Sequence, residues 1–324
     1  MKIAITGGAG FIGSNLALAL QGIHEVLVLD NLNSGETFEN GNLRYFGSFK
    51  NLLDFKGDLV CANLNDEYFY NVLDEFKPDV IYHFAAISDT TVYNQNEVMK
   101  TNINSFYRII DIADKHGSKL VYASSASVYG DAPSPQTIGL NERPKNPYAF
   151  SKMMMERIAK NHANKCDMVG LRYFNVYGEN EFYKNKTASM VLQFGLQILS
   201  GQNPRLFEGS DKICRDFVYI KDITAANIAA MSAKSGVYNA ATGKARSFES
   251  IVDILQDELV KDGTLKQKLE KHYIKNPYEK AYQFYTEANL NHSLDDFAYA
   301  PKYSLEDGIK SYLAEIKRIY KDEL

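Results

Sequence analysis

The chain has no tryptophan and only three cysteines, Cys61, Cys166 and Cys214, in 324 residues. These lie far apart and form no C-x-x-C pair, which argues against a disulfide scaffold and for a reducing setting. An excess of basic charge is also missing. Lys and Arg total 36 against 40 Asp and Glu, a net charge of −4, so no broad field exists for nucleic acid or an anionic membrane surface. No apolar stretch reaches membrane-spanning length, and the first residues lack a signal-peptide pattern. The six histidines show no ligand spacing and none pairs with a nearby cysteine, so no metal site is expected. Lys321-Asp322-Glu323-Leu324 spells an ER-retention address, but nothing here would bring the chain to the ER, and the residues read as the charged end of a terminal helix. The expected location is the cytoplasm.

What is present is ordinary globular composition, 45% hydrophobic and 23% charged, at a length that favours more than one core. Short apolar runs at Lys2–Thr6, Glu25–Leu29, Leu59–Ala62, Val80–Phe84, Leu120–Ala123 and Met168–Arg172 alternate with helical patterns. The helices are expected over about Phe11–Gln21, Glu67–Phe76, Asn104–Lys115 and Tyr148–Lys160. That rhythm predicts an α/β fold: a doubly wound parallel sheet of Rossmann type with a smaller, mainly C-terminal α/β substrate domain. The dinucleotide-binding domain is expected over residues 1–172, rejoined by about 214–242. Residues 173–213 and 243–324 then form the substrate domain, closed by an amphipathic helix over Ser304–Ile319.

Between the first strand and first helix lies Gly7-Gly8-Ala9-Gly10-Phe11-Ile12-Gly13. Glycines there let the backbone turn tightly and approach a pyrophosphate, which rests on amides at the helix N-terminus. Asp30 closes the second strand about twenty residues past Gly10, placed to accept from a ribose hydroxyl. A carboxylate there favours NAD, while Arg44 and Lys50 on the following loop leave NADP open. Tyr148 and Lys152 are four residues apart, hence on one helix face, with Pro147 fitting the first turn. A phenol titrates near ~10, and an adjacent ammonium favours its anion, so Tyr148 can serve as general acid/base. A Tyr-x-x-x-Lys pair alone is commonly a surface feature. The fifth apolar run, however, ends in Ser124-Ser125 at the sheet edge where such folds bind ligand, and Ser125 is placed to hydrogen-bond the reacting oxygen.

The glycine cradle, Ser125, and Tyr148 with Lys152 resemble the extended short-chain dehydrogenase/reductase superfamily. Leu171-Arg172-Tyr173-Phe174-Asn175-Val176-Tyr177-Gly178 and Arg215-Asp216-Phe217-Val218-Tyr219-Ile220-Lys221-Asp222 are similar to segments of its nucleotide-sugar epimerases and dehydratases. The 4,6-dehydratases carry an Asp-Glu pair after the strand hydroxyl. Ala126-Ser127 stands here, which argues against elimination. The stretch Glu181 to Met190, with Ser88-Asp89-Thr90-Thr91 and Leu206 to Ser210, resembles the ADP-glyceromanno-heptose 6-epimerases.

That resemblance implies an isomerase acting on an ADP-sugar for lipopolysaccharide inner-core synthesis, with one tightly bound NADP or NAD per subunit, in a homo-oligomer. It implies Tyr148 and Lys184 as two acid/base residues, one for each orientation of a carbonyl intermediate, with Ser125 and Lys152 assisting. On residue chemistry alone Lys184 reads equally as a loop lysine. The cofactor is implied to touch Gly7, Gly10, Phe11, Ile12, Gly13, Asp30 and Asn31. Asn63 and Leu64, then Ala85, Ala86, Asn102, Lys152 and Val176, complete its lining. Ser88, Asn175, Lys186 and Gln193 are implied to contact substrate, as are Phe207, Glu208, Gly209, Ser210, Arg215 and Tyr282. Arg215 has a fork suited to a diphosphate, though a salt bridge to Asp216 or Asp222 would also account for it. Thr37 and Asn63 depart from the family's usual Lys and Asp. The rival enzyme is a UDP- or GDP-hexose 4-epimerase, and a non-catalytic NAD(P)-binding regulator on the same fold is the distant alternative.

Overall fold

A computed structural model describes residues 1–276, 284–291 and 299–324. Seven parallel strands form the main sheet: β1 (Lys2–Thr6), β2 (Glu25–Asp30), β3 (Asp58–Cys61), β4 (Val80–His83), β5 (Lys119–Ser125), β6 (Met168–Tyr173) and β10 (Gly236–Ala240), in the order β10-β6-β5-β4-β1-β2-β3. The near-continuous apolar runs follow from burial on both faces. Helices α1 (Phe11–Leu20) and α7 (Ile220–Ala230) pack together on one face, while α2 (Glu67–Phe76), α4 (Ser105–His116) and α5 (Pro147–Asn161) cover the other. The order in which strands are added reverses between β1 and β4, and this opens the crevice at the strands' C-terminal ends where ligands bind in such sheets.

The expected elements appear with small shifts. The strand over Leu120–Ala123 extends to Ser125, and the terminal helix runs from Leu305 to Asp322, so that Glu323 caps it and pairs with Lys50. Within 214–242 the return to the sheet is made by α7 and β10. β9 (Cys214–Tyr219) instead pairs with β7 (Asn175–Tyr177) and β11 (Ala245–Ser247) in a separate sheet. Asp216, fully buried on β9, accepts from the amides of Thr242, Gly243 and Ala288 and so ties that sheet to two loops. A third, parallel pair joins β8 (Arg205–Phe207) to β12 (His272–Ile274).

Helix α5 is positioned with particular care. Asn146 caps it, accepting from the Ala149 amide at 2.8 Å, and Pro147 pre-sets its first turn. Arg172, 1% exposed on β6, donates to both oxygens of Glu156 on α5 at 2.7 and 2.5 Å, and to Glu142 at 2.5 Å. Ser124 on β5 donates to the same Glu156, at 2.5 Å. Replacing Arg172 by Met leaves the buried Glu156 without its cation and removes the partner of the partly exposed Glu142. Urea denaturation of Arg172→Met is expected to show a loss of about 3–5 kcal/mol; an unchanged midpoint would mean the carboxylates find water instead.

Candidate active site

The loop from β1 to α1 is a backbone cradle. Gly7 has φ +71°, and a Cβ at Gly13 would stand 2.4 Å from the Gly7 carbonyl oxygen, so side chains are barred from the turn. Helix α1 has Gly10 at its N-cap, hence no side-chain cap, and no acid in its first turn. Its leading amides are therefore left for an anion, and the residues fit a dinucleotide pyrophosphate. Asp30, at the end of β2, accepts from the amides of Ala9 at 2.9 Å and Leu32 at 2.8 Å. Burial raises its pKa while these backbone bonds oppose the rise.

From this cradle a cavity of about 680 Å³ runs along the sheet edge. Gly7, Gly10, Phe11, Ile12, Gly13, Asp30 and Asn31 line one end, with Asn63, Leu64, Ala85 and Ala86 beside them. Ser125, Tyr148, Lys152 and Val176 line the other, together with Ser88, Lys184 and Lys186. The Asn63 side-chain oxygen already accepts from the Asn65 amide at 2.8 Å and keeps a second lone pair. A hairpin from the 31–48 loop closes over the Asp30 end. There Asn40 and Asn42 donate to Asp89, and Arg44 pairs with Glu97 while lying 4.7 Å above the Phe38 ring. Lys50 does not join this lining, since its ammonium is held by Glu323 at 2.7 Å.

At the reacting end, Ser125 accepts from the Ser127 amide at 3.1 Å and from the Ser127 hydroxyl at 2.8 Å, leaving its own proton for the Tyr148 oxygen. Burial raises the Tyr148 pKa, and this hydrogen bond opposes it. Lys152 lies with its ammonium 5.8 Å from the Tyr148 ring centre. Desolvation pulls its pKa down to about 7, against the favourable charge of Glu156. The expected depression of the phenol by a nearby cation is thus outweighed here by burial of both groups. His83, at the end of β4, is held neutral with a pKa lowered to about 3 by burial and by Lys152, and bonds Thr6 at 2.8 Å.

Several expected residues lie elsewhere. Asn102 sits in a π-helical turn, Lys100–Asn104, behind the cavity rather than on its wall. Its amide group accepts from the Ile87 N–H, donates to the Ile87 carbonyl, and donates at 2.9 Å to Ser151, whose hydroxyl bonds the Tyr148 carbonyl. Asn175, Gln193, Phe207, Glu208, Gly209, Ser210 and Arg215 lie off the cavity lining, and Tyr282 lies outside the described residues. Arg215 donates to the Cys214 carbonyl and stands 5.7 Å from the Phe248 ring. Asp216 and Asp222 accept instead from backbone amides, Asp222 from those of Lys302 and Tyr303. Among the described residues no group of three His, Cys, Asp or Glu is placed to hold a metal ion, and no helix is long and apolar enough to cross a membrane.

Three residues that shape the site escaped the sequence reading: Ser151, Glu156 and Glu181. Ser151 falls inside the Tyr148–Lys152 motif, and Glu156 follows Lys152 by one turn, so helical spacing offered a signal for both. Glu181 had only its nearness to Lys184.

The profile of the NAD dependent epimerase/dehydratase family matches residues 3–241. The ADP-L-glycero-D-manno-heptose-6-epimerase of Brachyspira hyodysenteriae is 34% identical over 325 residues, covering 98% of each chain. Among solved structures, the Helicobacter pylori ADP-L-glycero-D-manno-heptose-6-epimerase superposes with a TM-score of 0.88 at 44% identity, covering 98% of this chain and 96% of that one. The Thermus thermophilus UDP-glucose 4-epimerase, solved with NAD, gives 0.81 at 25% identity over 98% of this chain and 99% of that one.

Lys152 with a pKa near 7 is an ammonium below that pH and an amine above it. On the expectation that Lys152 donates to a cofactor ribose, its donors are fullest in mild acid. NAD and NADP affinities measured by equilibrium dialysis are expected to fall about tenfold between pH 6 and pH 8. Lys152→Met should flatten that dependence, and a pH-independent affinity in the unsubstituted protein would refute the titration.

Proposed function

The chain belongs to the NAD dependent epimerase/dehydratase family, and on that premise we propose that it is an isomerase of the ADP-heptose 6-epimerase type. It inverts C6 of the heptose in ADP-D-glycero-β-D-manno-heptose to give the L-glycero epimer used in lipopolysaccharide inner-core synthesis. The observation that carries the mechanism is that two proton-handling groups, Tyr148 and Lys184, line one cavity with the glycine cradle.

C6 of the heptose bears one hydrogen and one hydroxyl between C5 and C7. Oxidation there removes the hydroxyl proton to a base and the C6 hydrogen as hydride, leaving a ketone. Return of hydride to the opposite face, with a proton to the oxygen, completes the inversion without net redox change. Bound NAD(P) supplies the hydride acceptor and donor. Turning the ketone over at C6 carries its oxygen away from the first acid/base group, and the proposed mechanism assigns a second to meet it. Tyr148, hydrogen-bonded by Ser125, serves one orientation, and Lys184 serves the other. Lys184 reaches the cavity from the turn after β7, its ammonium 5.2 Å from the centre of the Phe11 ring. Lys152 holds the cofactor ribose, and Lys186 and Ser88 face the substrate from the same cavity.

The cofactor is read as one tightly held NAD(P) per subunit. Asp30 is available to a ribose hydroxyl. Arg44 is the cation on the loop for a 2′-phosphate, which would compete with Glu97 for it. On the same reading the enzyme works in the cytoplasm as a homo-oligomer on a small-molecule ADP-sugar. The likeness to UDP-glucose 4-epimerase supports one rival, a hexose 4-epimerase, in which Tyr148 is retained and Lys184 has no required role.

NMR of purified protein with ADP-D-glycero-β-D-manno-heptose and no added cofactor is expected to show the L-glycero epimer. Tyr148→Phe and Lys184→Met are each expected to lower turnover by about 10²–10⁴-fold. Wild-type turnover in Lys184→Met would eliminate the two-group mechanism. Turnover of UDP-glucose in place of the heptose would favour the rival.

A further inference from the structure

The turn that carries Lys184 is closed by a carboxylate. Glu181 has no exposed surface and lies three positions before Lys184. Its oxygens accept from the Gly178 amide at 3.1 Å at one end of the segment, and from the Ser189 amide at 2.6 Å and the Ser189 hydroxyl at 2.7 Å at the other. Ser189 in turn caps helix α6 (Met190–Leu199), accepting from the Leu192 amide. One side chain therefore clamps both bases of the 178–189 loop, and Lys184 and Lys186 project from its middle into the cavity. Within the loop Asn185 takes a left-handed φ of +54°, so the turn is bent between the two lysines.

The three donors to Glu181 fall on both its oxygens, so a carboxamide or a protonated acid, though easier to bury, would turn a donor of its own toward one of them. A buried carboxylate costs more, because its charge leaves water. Burial raises the Glu181 pKa, opposed first by the Lys184 charge and then by the Ser189 and Gly178 bonds; the Tyr312 hydroxyl faces it from the C-terminal helix. Burial lowers the Lys184 pKa, and Glu181 is the charge that opposes the fall. We infer that Glu181 is the positioning residue for Lys184, holding the loop that delivers the amine to the reacting oxygen and supplying the negative charge its ammonium faces. This rests on the reading of Lys184 as the second acid/base group.

The test is Glu181→Gln made in the unsubstituted enzyme and again in Lys184→Met, with turnover followed by NMR, which distinguishes the two epimers, and folding by thermal denaturation. If Glu181 acts through Lys184, Glu181→Gln lowers kcat at least tenfold with little change in KM. The same substitution then costs less than twofold in the Lys184→Met background. Removing the anion makes the ammonium easier to deprotonate, so the alkaline limb of the kcat profile moves down by about one pH unit. Glu181→Asp keeps the charge and retains the original limb even where kcat falls, and it serves as the variant of record if the Gln form does not fold. An equal cost of Glu181→Gln in both backgrounds, or a limb displaced as far by Asp as by Gln, overturns the inference and leaves a structural clamp. Full turnover in Lys184→Met overturns the prior reading of Lys184 and this inference with it. An impaired Lys184→Met with equal Glu181 costs overturns this inference alone.

Discussion

Arg172 reaches from β6 beneath the end of β5 to grip Glu156 on α5, and the geometry of the reacting end depends on that contact. Ser125 is fixed by the sheet and Tyr148 by the helix, so their hydrogen bond exists only if sheet and helix keep one relative position. Ser124, adjacent to Ser125, donates to the same Glu156, so strand and helix are coupled through one buried carboxylate. Glu142, just ahead of the helix cap, takes the remaining arm of the guanidinium. A hydrophobic contact would bring the two elements together as well, but it is non-directional and would tolerate sliding by a fraction of an ångström. A forked ion pair with both carboxylate oxygens engaged tolerates little. Misplacement on that scale is enough to impair a proton transfer.

Burial is the common influence on the titratable groups of the cavity. It raises the phenol of Tyr148 and lowers the amines of Lys152 and Lys184, so all three are biased toward neutrality before ligands arrive. Each is opposed by one specific neighbour: Ser125 for Tyr148, Glu156 for Lys152, and Glu181 for Lys184. Glu156 thus has two tasks, anchoring the catalytic helix and partly restoring the charge of the lysine one turn before it. Of the three, Lys152 is brought to about 7, while Tyr148 is carried further above the neutral range and stays protonated until a ligand changes its surroundings.

The parts of this arrangement legible from sequence were those encoded locally. The glycine cradle depends on consecutive backbone torsions, Tyr148 and Lys152 on helical spacing, and the strands on contiguous apolar runs. What local patterns did not reveal depends on partners far away in the chain. Lys50, a loop cation on paper, is held by Glu323 at the opposite end of the chain. Asn102 is turned off the wall by a π-helical turn that no propensity signals, and it supports Tyr148 through Ser151 instead. Arg215 lies away from the cavity against its own strand and Phe248, so its diphosphate role rests on resemblance alone.

The same distinction separates the two proposed acid/base groups. Tyr148 stands on a helix bolted to the main sheet, and its place follows from the fold that the whole family shares. Lys184 stands on an irregular turn leaving β7, where no regular hydrogen-bond ladder sets its direction. Irregular backbone holds a functional side chain only if its ends are fixed by something other than secondary structure. Here Gly178 and Ser189, the two ends, meet on one buried carboxylate. On the proposed mechanism the shared scaffold holds the first proton-handling group, Tyr148, while the clamped turn supplies the second, Lys184.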